Sequence, residues 1–275
     1  KEKSKQSLED IILHRRHLHA NPELSYQEYK TQAYIIDILN DWGIENKKIA
    51  ETGVLATLKS DDADSKIIAL RADIDALPIL EKNEVPYKSK NSGVMHACGH
   101  DVHTSSMLGA CKVLKELHND WKGTVKILFQ PGEEKLPGGA TFMIKEGALK
   151  NPDAQLIFGQ HVMPELKCGT VGFKPGMFMA SADEIYVSIK GKGGHAAMPH
   201  YTVDPILTAS HIITSLQSVI SRNAPVNIPS VLSFGYIEGK GATNIIPDEV
   251  HLKGTFRTFN EEWRYHAHDR IKDII

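Results

Sequence analysis

Cysteine is scarce in this chain. Three of them, Cys98, Cys111 and Cys168, cannot build a disulfide framework in 275 residues, and a reducing, cytoplasmic setting fits best. Long apolar runs are missing as well, so no membrane span is expected, and no signal-peptide pattern stands at the start. Charge of one sign is not in excess. The net charge of -2 excludes a basic face for nucleic acid and an acidic tail. The glycine-rich stretch Gly191-Lys192-Gly193-Gly194 lacks the Gly-x-x-x-x-Gly-Lys-Ser/Thr order of a phosphate cradle. Internal repeats and low-complexity segments are absent too. What is present is an ordinary globular composition, 41% hydrophobic and 24% charged, at a length that suggests two domains. Histidine is the one high count, at 14, and it is the commonest metal ligand.

The chain is organised around Met95-His96-Ala97-Cys98-Gly99-His100-Asp101-Val102-His103. Cys98 and His100 stand two apart, so in an extended or turn backbone both side chains could face one ion, and Gly99 lets the backbone come close to it. A thiolate beside an imidazole suits zinc or a neighbouring transition ion rather than calcium or magnesium. Taken alone, the pair reads equally as a buried Cys beside a helix start. Elsewhere, other groups with metal chemistry follow predicted strands. The run 67–73 is almost unbroken apolar sequence, as in a strand covered on both faces, and it ends in Arg71, Asp73 and Asp75. The strand 123–130 runs into Pro131-Gly132-Glu133-Glu134, where one carboxylate could bind a metal and its neighbour move a proton. A solvated loop pair is the plainer alternative. The apolar run 155–161 ends in His161. Sites in α/β sheets lie at the carboxyl ends of strands, so these groups converge if the strands are neighbours.

Residues 1–42 read as two helices. Ser25-Tyr26-Gln27-Glu28 resembles a capping box, and His14, His17 and His19 are expected on a helix surface. The stretch 104–117 reads as a helix with Cys111 in the core. After about residue 179 the pattern changes to alternating strands around one helix. The expectation is an α/β domain over 1–179 followed by a smaller two-layer α+β domain over 180–275.

Seven motifs, in order, carry a family resemblance. They are His14-Arg15-Arg16-x-Leu18-His19-x-x-Pro22-Glu23, Arg71-Ala72-Asp73-x-Asp75-Ala76-Leu77-Pro78, the Cys98 stretch, Phe129-Gln130-Pro131-x-Glu133-Glu134, Gly193-Gly194-His195-Ala196-Ala197-x-Pro199, Asn244-Ile245-Ile246-Pro247 and Gly254-Thr255-x-Arg257. Together they resemble the aminoacylase/carboxypeptidase family of dinuclear metallo-amidohydrolases, in the branch of hippurate hydrolase, indole-acetyl-amino-acid hydrolases and N-acetyl-diaminopimelate deacetylases. The resemblance implies a catalytic domain with a mixed, mostly parallel sheet flanked by helices, and a lid domain that forms a homodimer. It implies two divalent ions (zinc, manganese, cobalt or nickel) held by Cys98, His100, Glu134 and His161. Glu133 is the implied general base and acid, and His195 the implied oxyanion stabiliser, reaching into a partner's site. Asn244 and Arg257 are implied to hold the substrate carboxylate. The implied reaction is hydrolysis of N-acyl amino acids. Alternatives are a dipeptidase or carboxypeptidase on the same site, or a metal-binding protein without turnover. The resemblance further implies a stretch of roughly a hundred residues beyond Ile275 that carries a last His ligand.

Overall fold

The computed structural model describes residues 1–60, 62–63 and 65–275. Two units, Lys1–Lys167 and Cys168–Ile275, each enclose a core of their own. The first opens with helices α1 (Glu2–Gln6), α2 (Leu8–Ala20) and α3 (Tyr29–Asp41). Strands β1 (Glu45–Ile49), β2 (Gly53–Lys59) and β3 (Ile67–Asp73) follow, then α4 (His100–Glu116), β4 (Thr124–Gln130), α5 (Gly139–Lys145) and β5 (Leu156–Gly159). They form one mixed sheet in the order β1-β2-β4-β3-β5. β2 runs antiparallel to β1 and β4, whereas β3 runs parallel to β4 and β5.

Side-chain alternation explains the burial. Val54, Ala56 and Leu58 of β2 and Val125, Ile127 and Phe129 of β4 meet Ile35 and Leu39 of α3 and Leu108 and Cys111 of α4. Leu55, Ala69 and Leu128 point the other way, against Met143 of α5. The central strands are therefore covered on both faces, as the apolar run 67–73 predicts. β5 differs from that reading. It forms, but at the sheet edge, and Leu156, Ile157 and Phe158 are half or more exposed.

Two N-terminal expectations are corrected. Ser25–Glu28 is not a capping box, because the Glu28 side chain makes no cap bond. The first amides of α3, those of Lys30 and Thr31, donate instead to the Glu23 carboxylate. Nor does His19 lie on a surface. α2 packs beside α4, and His19 is buried between Asp101 at 2.7 Å and Glu81 at 3.0 Å. Arg15 adds an ion pair to Asp101 at 2.9 Å. Periodicity alone placed a polar residue outward, but a polar partner on the facing helix made burial favourable.

The second unit contains β6 (Asp183–Lys190), β7 (Gly194–His195), α6 (Pro205–Ser218), β8 (Ser230–Glu238), β9 (Ile245–Ile246), β10 (Glu249–Thr258) and α7 (Glu261–Ile274). β6, β10 and β8 make an antiparallel sheet in that order. Val187, Ile189, Leu252 and Phe256 on one face meet Ala209 and Leu216 of α6 and Trp263 and Ala267 of α7. This is the two-layer α+β arrangement that the alternating strands predict. α6 begins where Asp204 accepts the amides of Ile206 and Leu207, with Pro205 as its first residue. Among the described residues no helix is long and apolar enough to cross a membrane.

Candidate metal centre

The parallel half of the first sheet places three strand ends side by side. β3 ends at Asp73 and continues to Asp75. Its neighbour β4 runs into Glu133 and Glu134, and β5 leads to His161. α4 starts at the same edge, held by the Thr104 hydroxyl donating to the Asp73 carbonyl at 3.0 Å. Gly99 precedes α4 with φ +86°, a left-handed conformation that turns Cys98 back toward the strand ends.

All four predicted ligands meet here. Cys98 Sγ lies 3.2 Å from His161 Nε2. His100 Nε2 lies 3.9 Å from both Glu134 Oε1 and Glu133 Oε2. Three groups have ligand atoms within 4.8 Å of one another, and His100 belongs to each: Cys98 with His161, Glu133 with Glu134, and Asp73 with His103. His100 Nε2 and Glu134 Oε1 are buried, and no hydrogen-bond partner reaches either. Buried polar atoms are normally paired, so two such atoms facing one another are donors suited to an ion. Thiolate, imidazole and carboxylate together match a zinc-like ion. The residues therefore fit a divalent metal.

Asp75 organises this centre. Its Oδ1 lies 3.1 Å from His100 Nδ1, and its backbone carbonyl 2.9 Å. Its Oδ2 accepts the Glu134 amide at 2.9 Å and the Ser25 hydroxyl at 2.7 Å. One carboxylate thus fixes a ring and a neighbouring backbone, leaving His100 Nε2 free to face an ion. Burial would raise the pKa of Asp75, but hydrogen bonds from His100, the Glu134 amide and Ser25 hold it below the usual carboxylate value. Burial opposes charge on His100, yet its hydrogen bond to Asp75, the nearby Cys98 thiol and the charges of Asp75 and Asp73 push its pKa up to about 11. The site thus favours positive charge at this ring, a role that a cation can take over from a proton.

Glu133 is partly exposed, and its pKa is raised by burial first and then by the charges of Asp73 and Glu134. That is the direction a proton-transferring carboxyl needs. His103, the last imidazole of the motif, has a different task. Its Nε2 accepts the Val162 amide at 3.0 Å, and its ring lies 4.5 Å from that of His161, so it holds the turn carrying His161. Burial and the charges of His100 and His161 lower its pKa to about 4. The spacing that flagged the motif could not separate this supporting imidazole from a ligand.

In the second unit, β7 pairs with β9 and sets His195 opposite Ile245, and the Ala196 amide donates to the Asn244 carbonyl at 3.0 Å. His195 and Asn244 are thus neighbours. Arg257 bonds elsewhere, its Nε donating to Thr255 Oγ1 at 3.1 Å. The His195 loop is tied beside the start of β10 by the Gly193 amide donating to Asp248 at 2.8 Å. Arg257 lies eight residues along β10 from Glu249, about 26 Å at strand rise.

A family model for peptidase family M20/M25/M40 matches residues 69–266. The chain belongs to this family. It is 47% identical to N-acetyl-L-cysteine deacetylase of Bacillus subtilis over 94% of its own length and 61% of that protein's. It is 43% identical to N-acyl-L-amino acid amidohydrolase of Geobacillus stearothermophilus over 93% of its length and 68% of that protein's. Among solved structures it resembles a dinuclear metal-binding M20 peptidase of Bacillus subtilis, with TM-score 0.79 and 38% identity over 98% of this chain and 69% of that one. A structure from methicillin-resistant Staphylococcus aureus matches with TM-score 0.90 and 36% identity over 99% of this chain and 72% of that one. The M20 chain thus spans about two thirds of the length of these relatives. The expected family and fold are both borne out.

Proposed function

We propose that this M20 chain carries the metal-dependent centre of an amidohydrolase that cleaves N-acyl amino acids into a carboxylate and a free amino acid. The observation that carries this reading is the pair of unpartnered, buried ligand atoms on His100 and Glu134, flanked by Cys98, His161 and the raised carboxyl of Glu133. Cys98, His100, Glu134 and His161 would hold two divalent ions, of zinc, manganese, cobalt or nickel. Such ions, when bound, polarise an acyl oxygen and acidify water. Glu133 takes a proton from the attacking water and returns it to the amide nitrogen as the C–N bond breaks. Oxygen from water ends on the acyl carbon, and the amine leaves protonated. His195 stabilises the developing oxyanion in a partner's site. Asn244 and Arg257, each supplied by a different copy of the homodimer, hold the substrate carboxylate, Arg257 through its two-pronged guanidinium. The second unit mediates the homodimer, and three free thiols suit a reducing, cytoplasmic setting.

The test is Glu133→Gln after metal reconstitution. Turnover of an N-acetyl amino acid should fall by roughly 10²–10⁴-fold, while the metal content by elemental analysis stays unchanged. A fully active variant would refute the role of Glu133. Running dipeptides beside N-acetyl amino acids separates a peptidase from a deacylase.

A further inference from the structure

Residues 25–28 do not cap α3, which is capped by Glu23. They lie against the loop that bears Glu133 and Glu134. The Tyr26 hydroxyl donates to the Lys135 carbonyl at 2.8 Å and accepts the Gly138 amide at 3.0 Å. Its ring covers Gly132, where an added Cβ would come 2.3 Å from Tyr26 Cε1. This placement requires φ +65° at Tyr26, a left-handed conformation that a non-glycine residue holds only at a cost. Glu28 is fully buried, and its carboxylate accepts the Gly132 amide at 2.7 Å and the Thr52 hydroxyl at 2.6 Å. The Ser25 hydroxyl reaches Asp75, which in turn accepts the Glu134 amide. The two catalytic-loop carboxylates are therefore bracketed, at Gly132 before them and at Lys135 and Gly138 after them, by one segment about a hundred residues earlier in the chain.

We infer that Tyr26 and Glu28 are positioning residues that buckle the 131–138 loop, fixing Glu133 and Glu134 relative to His100. The functional importance of the buckle rests on the proposed hydrolase reading, but its mechanics do not. Three features separate it from plain packing. A polar side chain is fully buried to hold a single loop amide, a non-glycine residue keeps a left-handed backbone, and both bond to main-chain atoms of the loop rather than to side chains. Such anchors hold a loop whatever its side chains are doing, and they leave both glutamates unengaged for chemistry.

The experiment uses Tyr26→Phe, which keeps the ring over Gly132 and deletes only the hydroxyl. Amide hydrogen exchange is followed on the metal-free chain. Exchange in the 132–139 segment should accelerate roughly tenfold, the ratio that the loss of one to two net hydrogen bonds supports, with α4 and the central strands unchanged. Glu28→Ala should release the Gly132 end in the same way, and Glu28→Gln, which retains an acceptor oxygen, should recover most of the protection. In the metal-loaded protein Tyr26→Phe should lower kcat about tenfold with KM within about twofold, since orientation rather than substrate contact is lost. Unchanged exchange, or acceleration spread evenly over the first unit, would overturn the buckle. Exchange needs no turnover, so a failure of the hydrolase reading (an active Glu133→Gln) stays separate from a failure of this one.

Discussion

At the scale of single residues, the centre depends on a few positions where the backbone leaves no choice. Gly99 sits at φ +86°, and a Cβ there would come 2.4 Å from Val162 Cγ2. Gly99→Ala should therefore strain the turn into α4 and push on Val162, displacing the adjacent His161. We expect a stability loss of about 1–2 kcal/mol from the backbone alone, read by chemical denaturation. Metal affinity should weaken at least about tenfold, the scale seen when support for a ligand is removed, read by titration. The convergence of Cys98, His100, Glu134 and His161 was readable from the sequence, because each follows a predicted strand or opens a helix. Asp75 was visible only as one acid in a polar strand end, and its triple engagement with His100, Glu134 and Ser25 joins residues far apart in the chain. Glu28 fits a capping box in sequence but does not form one, for a similar reason. A local pattern suggested a local bond, whereas its partners are Thr52 and Gly132.

Among the secondary-structure elements, the connection of β6 to α7 offers a titratable joint. Arg264 of α7 grips the Asp183 carboxylate at the start of β6 with distances of 2.7 to 3.1 Å, and His268 stands 3.3 Å away. Burial would raise the pKa of Asp183, but hydrogen bonding and charge from Arg264, with the charge of His268, hold it lowered. A depressed folded pKa contributes stability that is fully present above the unfolded value, about 3.9, and is lost as pH falls through the folded value. The second unit should therefore lose stability below about pH 4, by about 1–3 kcal/mol for hydrogen bonds to a charged group. Urea midpoints at pH 7 and pH 3 test this, and Asp183→Asn should flatten the difference. Strand and helix positions were largely readable from apolar periodicity. The exposed edge position of β5 was not, because an apolar run reports preference for burial and not the number of neighbours a strand finds.

For the whole molecule, two separate cores predict two responses to metal. The proposed ligands Cys98, His100, Glu134 and His161 all lie in the first unit, so a divalent ion at 100 times its dissociation constant should stabilise that unit by about 2.7 kcal/mol. The second unit should stay where it was. In a Trp263→Phe variant the fluorescence comes from Trp42 and Trp121, both in the first unit, and its thermal midpoint should rise by several degrees with zinc or manganese. A variant with Trp42 and Trp121 replaced by Phe, which reports Trp263, should show no shift. Equal shifts in both would place the ion elsewhere. The sequence pattern changes near residue 179, whereas the two units of the structure divide between Lys167 and Cys168. The position of Arg257 eight residues along β10 from Glu249, about 26 Å at strand rise, was not readable from the sequence, since no motif states the length of strand that follows it.

The sequence by itself determined the donor set, the alternation that buries the strands and the membership of the M20 family. These are properties of residue type and local spacing, which the chain carries wherever it goes. Only the tertiary structure decided that β4, β3 and β5 stand side by side, that His103 supports His161, that His19 is buried against α4 and that residues 25–28 close over the glutamate loop. Each of those depends on hydrogen bonds between segments distant in sequence, and such bonds exist only once the packing of the sheet has brought their partners within about 3 Å.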